Sequence, residues 1–368
     1  MDPLTQGVLG AAVTQSLVGW RRGERVACGR WVVRKAALLG VVGAIAGMAA
    51  DLDVLIQSAS DPTLAWRFHR HFTHSLLFIP IGGTLVALPF LRWVRRRADW
   101  PLIFGASWIG YATHGPLDAL TAYGTLLFWP LTDQRVALDW MAIVDPVYTL
   151  MLLVGVAIAV GRGSLRGVRL ALLLSLLYLG WGAWQHHRAF VGQSRLAARR
   201  GETPVRARVL PAPGPLLYWR SIYETDGHVR IDGIALSWTP VSAEARFLPG
   251  GVVPLVTEAQ LPAGLRVYPD LGRQLATFHW FADGWWGVPS STEGTPPERI
   301  ALGDLRYAVT VEEIVPLWGV TVDPVAGTMT RWSPPRPFRR AFLPLLRSAL
   351  PGDPRFLSLD NLFPPARL

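Results

Sequence analysis

The chain has 368 residues, of which 51% are hydrophobic and 17% charged, with a formal net charge of +10. So apolar a composition points to a membrane. The single cysteine, Cys28, excludes an intrachain disulfide framework and any multi-cysteine zinc or iron–sulfur site, and arginines spaced between apolar runs argue against nucleic acid.

The start, Met1-Asp2-Pro3, lacks the basic segment of a cleavable secretory signal, so the mature protein is expected to begin at or near Met1. Leu4 to Trp20 is apolar but carries Thr5, Gln6, Thr14, Gln15 and Ser16, which suits a marginal span or a re-entrant or interfacial helix. Ala36 to Ile56 is a stronger span, rich in the small residues that let helices approach closely in lipid, and it ends in Asp51 and Asp53. Leu76 to Leu91, Pro101 to Thr113, Ala142 to Val160 and Val168 to Trp184 follow. The expectation is an α-helical polytopic membrane domain of five or six spans over residues 1–190.

Alternate loops differ in charge. The loops after Trp20, Leu91 and Val160 carry thirteen Lys and Arg, whereas residues 57–74 and 114–141 carry only Arg67, Arg70 and Arg135. The positive-inside rule puts the basic loops in the cytoplasm and the others outside. A Pro-rich linker is expected over residues 191–215, then a smaller, mainly β soluble domain over 216–332, then a Pro-rich basic tail over 333–368 with Arg336, Arg339 and Arg340. Candidate strands are Leu216 to Tyr223, Val229 to Trp238, Gln274 to Phe281 and Leu305 to Val311.

Ionisable residues gather on the external face of this topology. Asp51 and Asp53 end one span, and His69, His71 and His74 precede the next. His114 and Asp118 end another, and Asp139 and Asp145 precede the one after. Charge beside a membrane is costly, so such a gathering points to function. His114 and Asp118, at i and i+4, share a helix face, as His71 and His74 can at i and i+3. Asp51 and Asp53, at i and i+2, share a side only where the helix unwinds. Carboxylates at a helix C-terminus also oppose its dipole and call for a cation.

These residues carry a resemblance. Thr5-Gln6, Asp51-Leu52-Asp53, His69-Arg70 with Thr73-His74-Ser75, Thr113-His114 with Asp118, Tyr123-Gly124-Thr125, Trp129-Pro130 and Asp145-Pro146 resemble, in order and spacing over about residues 1–190, the YdjM/YbcI-type (DUF457) inner-membrane family. Gly303-Asp304-Leu305-Arg306-Tyr307 is similar to a shorter element in the soluble domain of longer members. Ala50 stands where the family usually has Pro, and His71 where it often has Gly. The family is described as metal-dependent hydrolases, so the resemblance implies a membrane-embedded helical domain with a His/Asp metal site.

The candidate metal ligands are Asp51, Asp53, His69, His74, His114 and Asp118, enough for two ions or for one ion with supporting acids. This donor set suits zinc first, with manganese or iron as alternatives. Asp53, His74, Asp118 and Arg70 are the candidate catalytic residues: a spare Asp or His as general base, and Arg70 as a contact for a substrate anion. Thr73 and Ser75 are expected to cap the helix at Leu76, and Asp145 the helix at Pro146. His186, His187, His228 and His279 are placed outside the site.

The expected function is a multi-pass inner-membrane hydrolase. Its substrate is a membrane lipid or lipid-linked molecule at the outer leaflet, with phosphoester cleavage ahead of amide or ester. The alternative is a non-enzymatic polytopic membrane protein: a transporter, a metal binder or an assembly scaffold.

Overall fold

The computed structural model describes residues 1–238, 245–256, 268–289, 298–308, 311–312, 314–333 and 354–363. Two compact units divide the chain: Met1–Ile56 with Phe68–Ala183, and Gln57–Arg67 with Trp184–Leu368.

The first unit is helical. Helix α1 (Pro3–Leu17) starts where Asp2 accepts from Thr5 N at 3.0 Å and Pro3 occupies a position that needs no N–H donor. A short hairpin, β1 (Arg25–Cys28) and β2 (Trp31–Arg34), leads into α2 (Lys35–Ala49), which tightens into a 3-10 turn over Ala50–Leu55. There follow α3 (Leu64–Phe68), 3-10 turns at Phe72–His74 and Leu76–Phe78, α4 (Ile79–Leu91), α5 (Trp100–Ala112), α6 (His114–Ala119) and α7 (Pro146–Arg162). Helix α8 (Leu165–Arg199) passes from the first unit into the second. Leu39, Val42, Ile103 and Leu152 are wholly buried in the core of the first unit, while Leu85 on α4 and Leu170, Leu173, Leu176 and Leu177 on α8 are exposed. An exposed leucine face on an apolar helix is what lipid contact requires.

Glycines set the distance between α1, α2 and α5. A Cβ on Gly10 would lie 2.3 Å from Gly43 O, one on Gly47 2.5 Å from Gln6 O, and one on Gly110 2.6 Å from Gly43 O. Only glycine permits these backbones to touch. The consequence is that the C-terminal end of α2 stands directly beside Gln6 and α6.

Five or six spans are not what the structure supports. Among the described residues two helices are long and apolar enough to cross a membrane, Lys35–Leu55 and Leu165–Arg199. A third span results only if Leu64–His74 and Leu76–Leu91, bent by 64°, count as one. The reason is length: α4 and α5 have 13 residues each and α1 has 15. At 1.5 Å per residue, thirteen residues rise about 20 Å against a hydrocarbon core of about 30 Å. Apolar runs were visible in the sequence, but the bends and 3-10 turns that shorten them were not.

The second unit contains two sheets. One is antiparallel, in the order β3 (Arg206–Pro211), β4 (Tyr218–Thr225), β5 (His228–Ala235), β6 (Arg246–Leu248), with β7 (Val252–Pro254) also on β5. Helix α9 (Pro269–Phe281) precedes the second sheet, in the order β11 (Thr328–Trp332), β10 (Gly319–Asp323), β9 (Ile300–Asp304), β8 (Trp286–Gly287). Trp219, Trp285, Trp286, Phe278 and Phe281 are fully buried in this unit. Residues 57–67 join it through Trp66, whose ring stacks on Phe281 at 5.2 Å and lies 5.1 Å beneath the Arg331 guanidinium. A loop of the N-terminal sequence is thus structurally part of the C-terminal unit.

Several boundaries differ from the sequence expectation. Residues 191–199 of the expected linker continue α8, and Arg206–Pro211 forms β3. Gln274 to Phe281 is helix rather than strand. Pro269 opens α9, and buried Leu271, Leu275 and Phe278 recur at helical spacing, which outweighs the aromatic content that suggested β structure. Leu305 is buried in the turn after β9, and the expected strand there runs partly outside the described residues. Arg336, Arg339 and Arg340 of the tail also lie outside them.

Candidate metal centre

Four polar side chains of the first unit converge. The 3-10 turn at the end of α2 presents Asp51, the turn Phe72–His74 presents His74, and α6 presents His114 and Asp118 from one face. The 3-10 turn over Ala50–Leu55 leaves carboxylate oxygens of Asp51 and Asp53 within 4.8 Å of one another.

The tautomers of both histidines are fixed from behind. His114 Nδ1 donates to the carbonyl of Gly47, which can only accept. His74 Nδ1 donates to Thr73 Oγ1 at 3.0 Å, and that hydroxyl in turn donates to Asp53 Oδ2 at 3.0 Å. With Nδ1 engaged in each ring, Nε2 is the atom that faces forward. The two Nε2 atoms are 2.9 Å apart. Asp51 Oδ1 lies 3.5 and 3.4 Å from them, and Asp118 Oδ2 3.2 and 3.5 Å.

Asp118 is wholly buried and its two oxygens differ. Oδ1 accepts from Gln6 Nε2 at 3.0 Å and from the Met1 amine. Oδ2 accepts no hydrogen bond among the described residues, although Arg70 Nε is 3.2 Å away. Burial pushes this carboxyl up, but Arg70 and the Met1 amine more than offset it and hold it well below its ordinary value. A buried oxygen without a donor among the described residues, facing two imidazole Nε2 atoms, is placed for a cation.

Asp53 stands behind this group. Its carboxylate accepts from His69 Nδ1 at 2.8 Å, Arg70 N at 2.8 Å and Thr73 Oγ1 at 3.0 Å. It therefore orients the whole His69–His74 segment. Asp51, Asp53 and His69 form a second group of donors within metal-binding reach of one another, sharing Asp51 with the first. His69 is the more accessible, its side chain 23% exposed against none for His74 and His114.

Arg70 is not available to a substrate in this arrangement. It is buried, donates from Nη1 to Thr121 Oγ1 at 3.1 Å and lies 4.6 Å over the Tyr123 ring. Its backbone has φ of 62°, a conformation that costs a non-glycine residue about 1 kcal/mol or more, which the Asp53 contact to its amide helps to hold. Burial and pairing make Arg70 a support for Asp118.

Other expectations resolve individually. Asp145 caps α7, accepting from Val147 N and Tyr148 N at 3.0 Å, as its place before Pro146 indicated. Thr73 and Ser75 do not cap through their side chains: Thr73 serves Asp53, and Ser75 Oγ donates to Phe72 O at 2.9 Å. The His71 ring packs against Phe68, Phe72 and Trp129 and joins neither donor group. Gly124, at φ of 71°, turns the chain so that Thr125 bridges Val136. His186, His187, His228 and His279 belong to the second unit, outside both donor groups.

Four supports had not been assigned from the sequence: the Met1 amine, Gln6, Gly47 and Thr121. A polar pair such as Thr5-Gln6 in an apolar helix was the available signal, because buried amides need partners.

The sequence model of the YdjM inner membrane proteins matches residues 1–189, just over half of the chain and all of the elements that build this centre. The chain belongs to the YdjM inner membrane protein family. The family assignment agrees with the exposed apolar faces of the helical unit and places the protein in a membrane. No curated protein and no solved structure matches the chain.

Proposed function

We propose that the chain is a membrane metal-dependent hydrolase whose ion is held by Asp51, His74, His114 and Asp118. The observation that carries this reading is the convergence of two imidazole Nε2 atoms, 2.9 Å apart, on a buried Asp118 oxygen that accepts no hydrogen bond among the described residues. The imidazole–carboxylate separations of 3.2 to 3.5 Å suit donors around one small divalent ion. With bonds of about 2.0–2.1 Å, a tetrahedral shell has edges of roughly 3.3 Å, so zinc is the first choice. Such an ion supplies Lewis-acid polarisation and lowers the pKa of water.

The protein's own groups supply the rest. His69, partly exposed and anchored through Nδ1 to Asp53, keeps Nε2 available to take a proton from an attacking water and return it to the leaving group. Asp51, 16% exposed, is the most accessible of the four ion-facing side chains and marks the open wall. Arg70 and Gln6 hold Asp118 in place.

The substrate proposed is a membrane lipid or lipid-linked molecule at the outer face, where the sparsely charged loops are expected to lie. Phosphoester, ester and amide bonds all suit this chemistry. The anion contact that made phosphoester first choice is engaged with Asp118. The second reading is a metal binder without catalysis, favoured by the fact that four protein donors can fill a tetrahedral shell. The test incubates zinc-loaded and chelator-stripped protein with a bacterial lipid extract. Metal-dependent release of phosphate headgroups or fatty acids supports hydrolysis and assigns the bond; stoichiometric metal with no product over either form rejects it for the binder.

A further inference from the structure

The second unit contains a pocket that the proposed chemistry does not use. It opens along the α8 face bearing His187, Arg188, Val191 and Arg195, with Phe247 and Leu359 among its apolar walls, and has a volume of about 240 Å³. Among the described residues no carboxylate lines it. Positions 188, 191 and 195 recur at helical spacing, so both guanidinium groups belong to the same side of α8.

Arg188 is fixed by neutral groups. Nη1 donates to Gln185 Oε1 at 2.6 Å and Ser237 O at 2.9 Å, Nη2 to Ser237 Oγ at 3.4 Å, and the guanidinium lies 4.8 Å over the Trp184 ring. These contacts orient the cation through neutral partners, and no carboxylate among the described residues pairs with it. Neither Arg188 nor Arg195 has an ion pair among the described residues. A pocket with an oriented cation, a second one nearby and apolar walls suits an anion attached to hydrocarbon.

The position along α8 narrows the ligand. The pocket residues follow the apolar run Val168–Trp184 by three to eleven residues, which is about 5 to 16 Å of helix. Trp184 has the place of an aromatic boundary residue, and lipid phosphates sit at such boundaries. We propose that this pocket binds the phosphate headgroup of an anionic membrane lipid. Arg188 and Arg195 hold the phosphate, and Val191, Phe247 and Leu359 contact the adjoining chain. This site is independent of the metal centre.

The full chain in detergent can be titrated with dihexanoyl phosphatidic acid, dihexanoyl phosphatidylcholine or inorganic phosphate, with adducts counted by native mass spectrometry. The wild type should retain one phosphatidic acid, and equimolar inorganic phosphate should not displace it. Arg195→Gln, at an exposed position without an ion pair, should fold normally and bind about tenfold more weakly, and Arg188→Gln with Arg195→Gln should bind weaker still. Equal retention by wild type and Arg195→Gln, equal affinity for phosphatidylcholine, or displacement by equimolar inorganic phosphate would each overturn the proposal.

Discussion

His74 and His114 meet edge to face with their Nε2 atoms 2.9 Å apart, and each is turned to that position by a partner on its Nδ1 side. Two neutral imidazoles so fixed would present lone pair to lone pair, which is repulsive without a cation or shared proton between them. The protein holds the pair together through its scaffold, His74 from the turn Phe72–His74 and His114 from the start of α6.

The first consequence concerns metal content. Purified wild type analysed by mass spectrometry should carry a divalent transition metal, and His74→Ala or Asp118→Ala should lose it. Asp53→Asn, which removes an orienting acceptor, should weaken affinity about 10- to 100-fold without abolishing binding. Wild type free of metal after purification and reloading would end the hydrolase reading.

A second expectation concerns Arg70. Arg70→Ala removes a buried cation beside Asp118, and the metal-free protein should lose about 3–5 kcal/mol of stability. Added metal should restore much of that loss, because it compensates the same carboxylate. Thermal unfolding with and without zinc measures both effects; an unchanged metal-free melting temperature would show that the pair is not structural.

Close helix packing makes a third. Gly47→Val would place side-chain atoms against the Gln6 carbonyl and displace the carbonyl that orients His114. Overpacking of this kind costs about 1–3 kcal/mol, and metal affinity should fall together with stability. Gly105→Ala, where nothing lies within 4 Å of the added carbon, is the control and should leave metal binding unchanged. A Gly47→Val protein with wild-type affinity would disconnect helix spacing from the site.

The second unit offers a separable test. Arg306 forms a buried bidentate pair with Asp304, at 2.9 and 2.7 Å, and also donates to Phe281 O at 2.6 Å. Removing one partner of a buried pair costs about 3–5 kcal/mol, so Arg306→Met should destabilise this unit strongly. Metal content of the helical unit should stay near wild type. Loss of metal in this variant would show the two units to be coupled.

Sidedness can be read with a fusion. A reporter placed after Ser194 should be active only outside the cytoplasm, in keeping with thirteen basic residues in the opposite loops against three. Cytoplasmic activity would place the second unit inside.

The sequence by itself determined the chemistry available. Asp51, His74, His114 and Asp118 were legible because ionisable residues beside apolar runs are costly and stand out, and the i, i+4 spacing of His114 and Asp118 already placed both on one face. Asp145 was legible as a cap because capping is local. What only tertiary structure decided is how these groups divide the work. Arg70 turns from substrate contact to buried support because Asp118, 48 positions away in sequence, comes within 3.2 Å of it. Asp53 becomes the acceptor that orders His69, Arg70 and Thr73, and His71 packs among aromatic rings. The span count differs for a related reason: hydropathy measures how apolar a run is, whereas the turns at Phe72 and Leu76 and the 64° bend between Leu64–His74 and Leu76–Leu91 follow from packing between distant segments. The stretch His69 to Ser75 supplies two of the donors, His69 and His74, and the glycine contacts of α1, α2 and α5 set how closely the helices that carry the others approach.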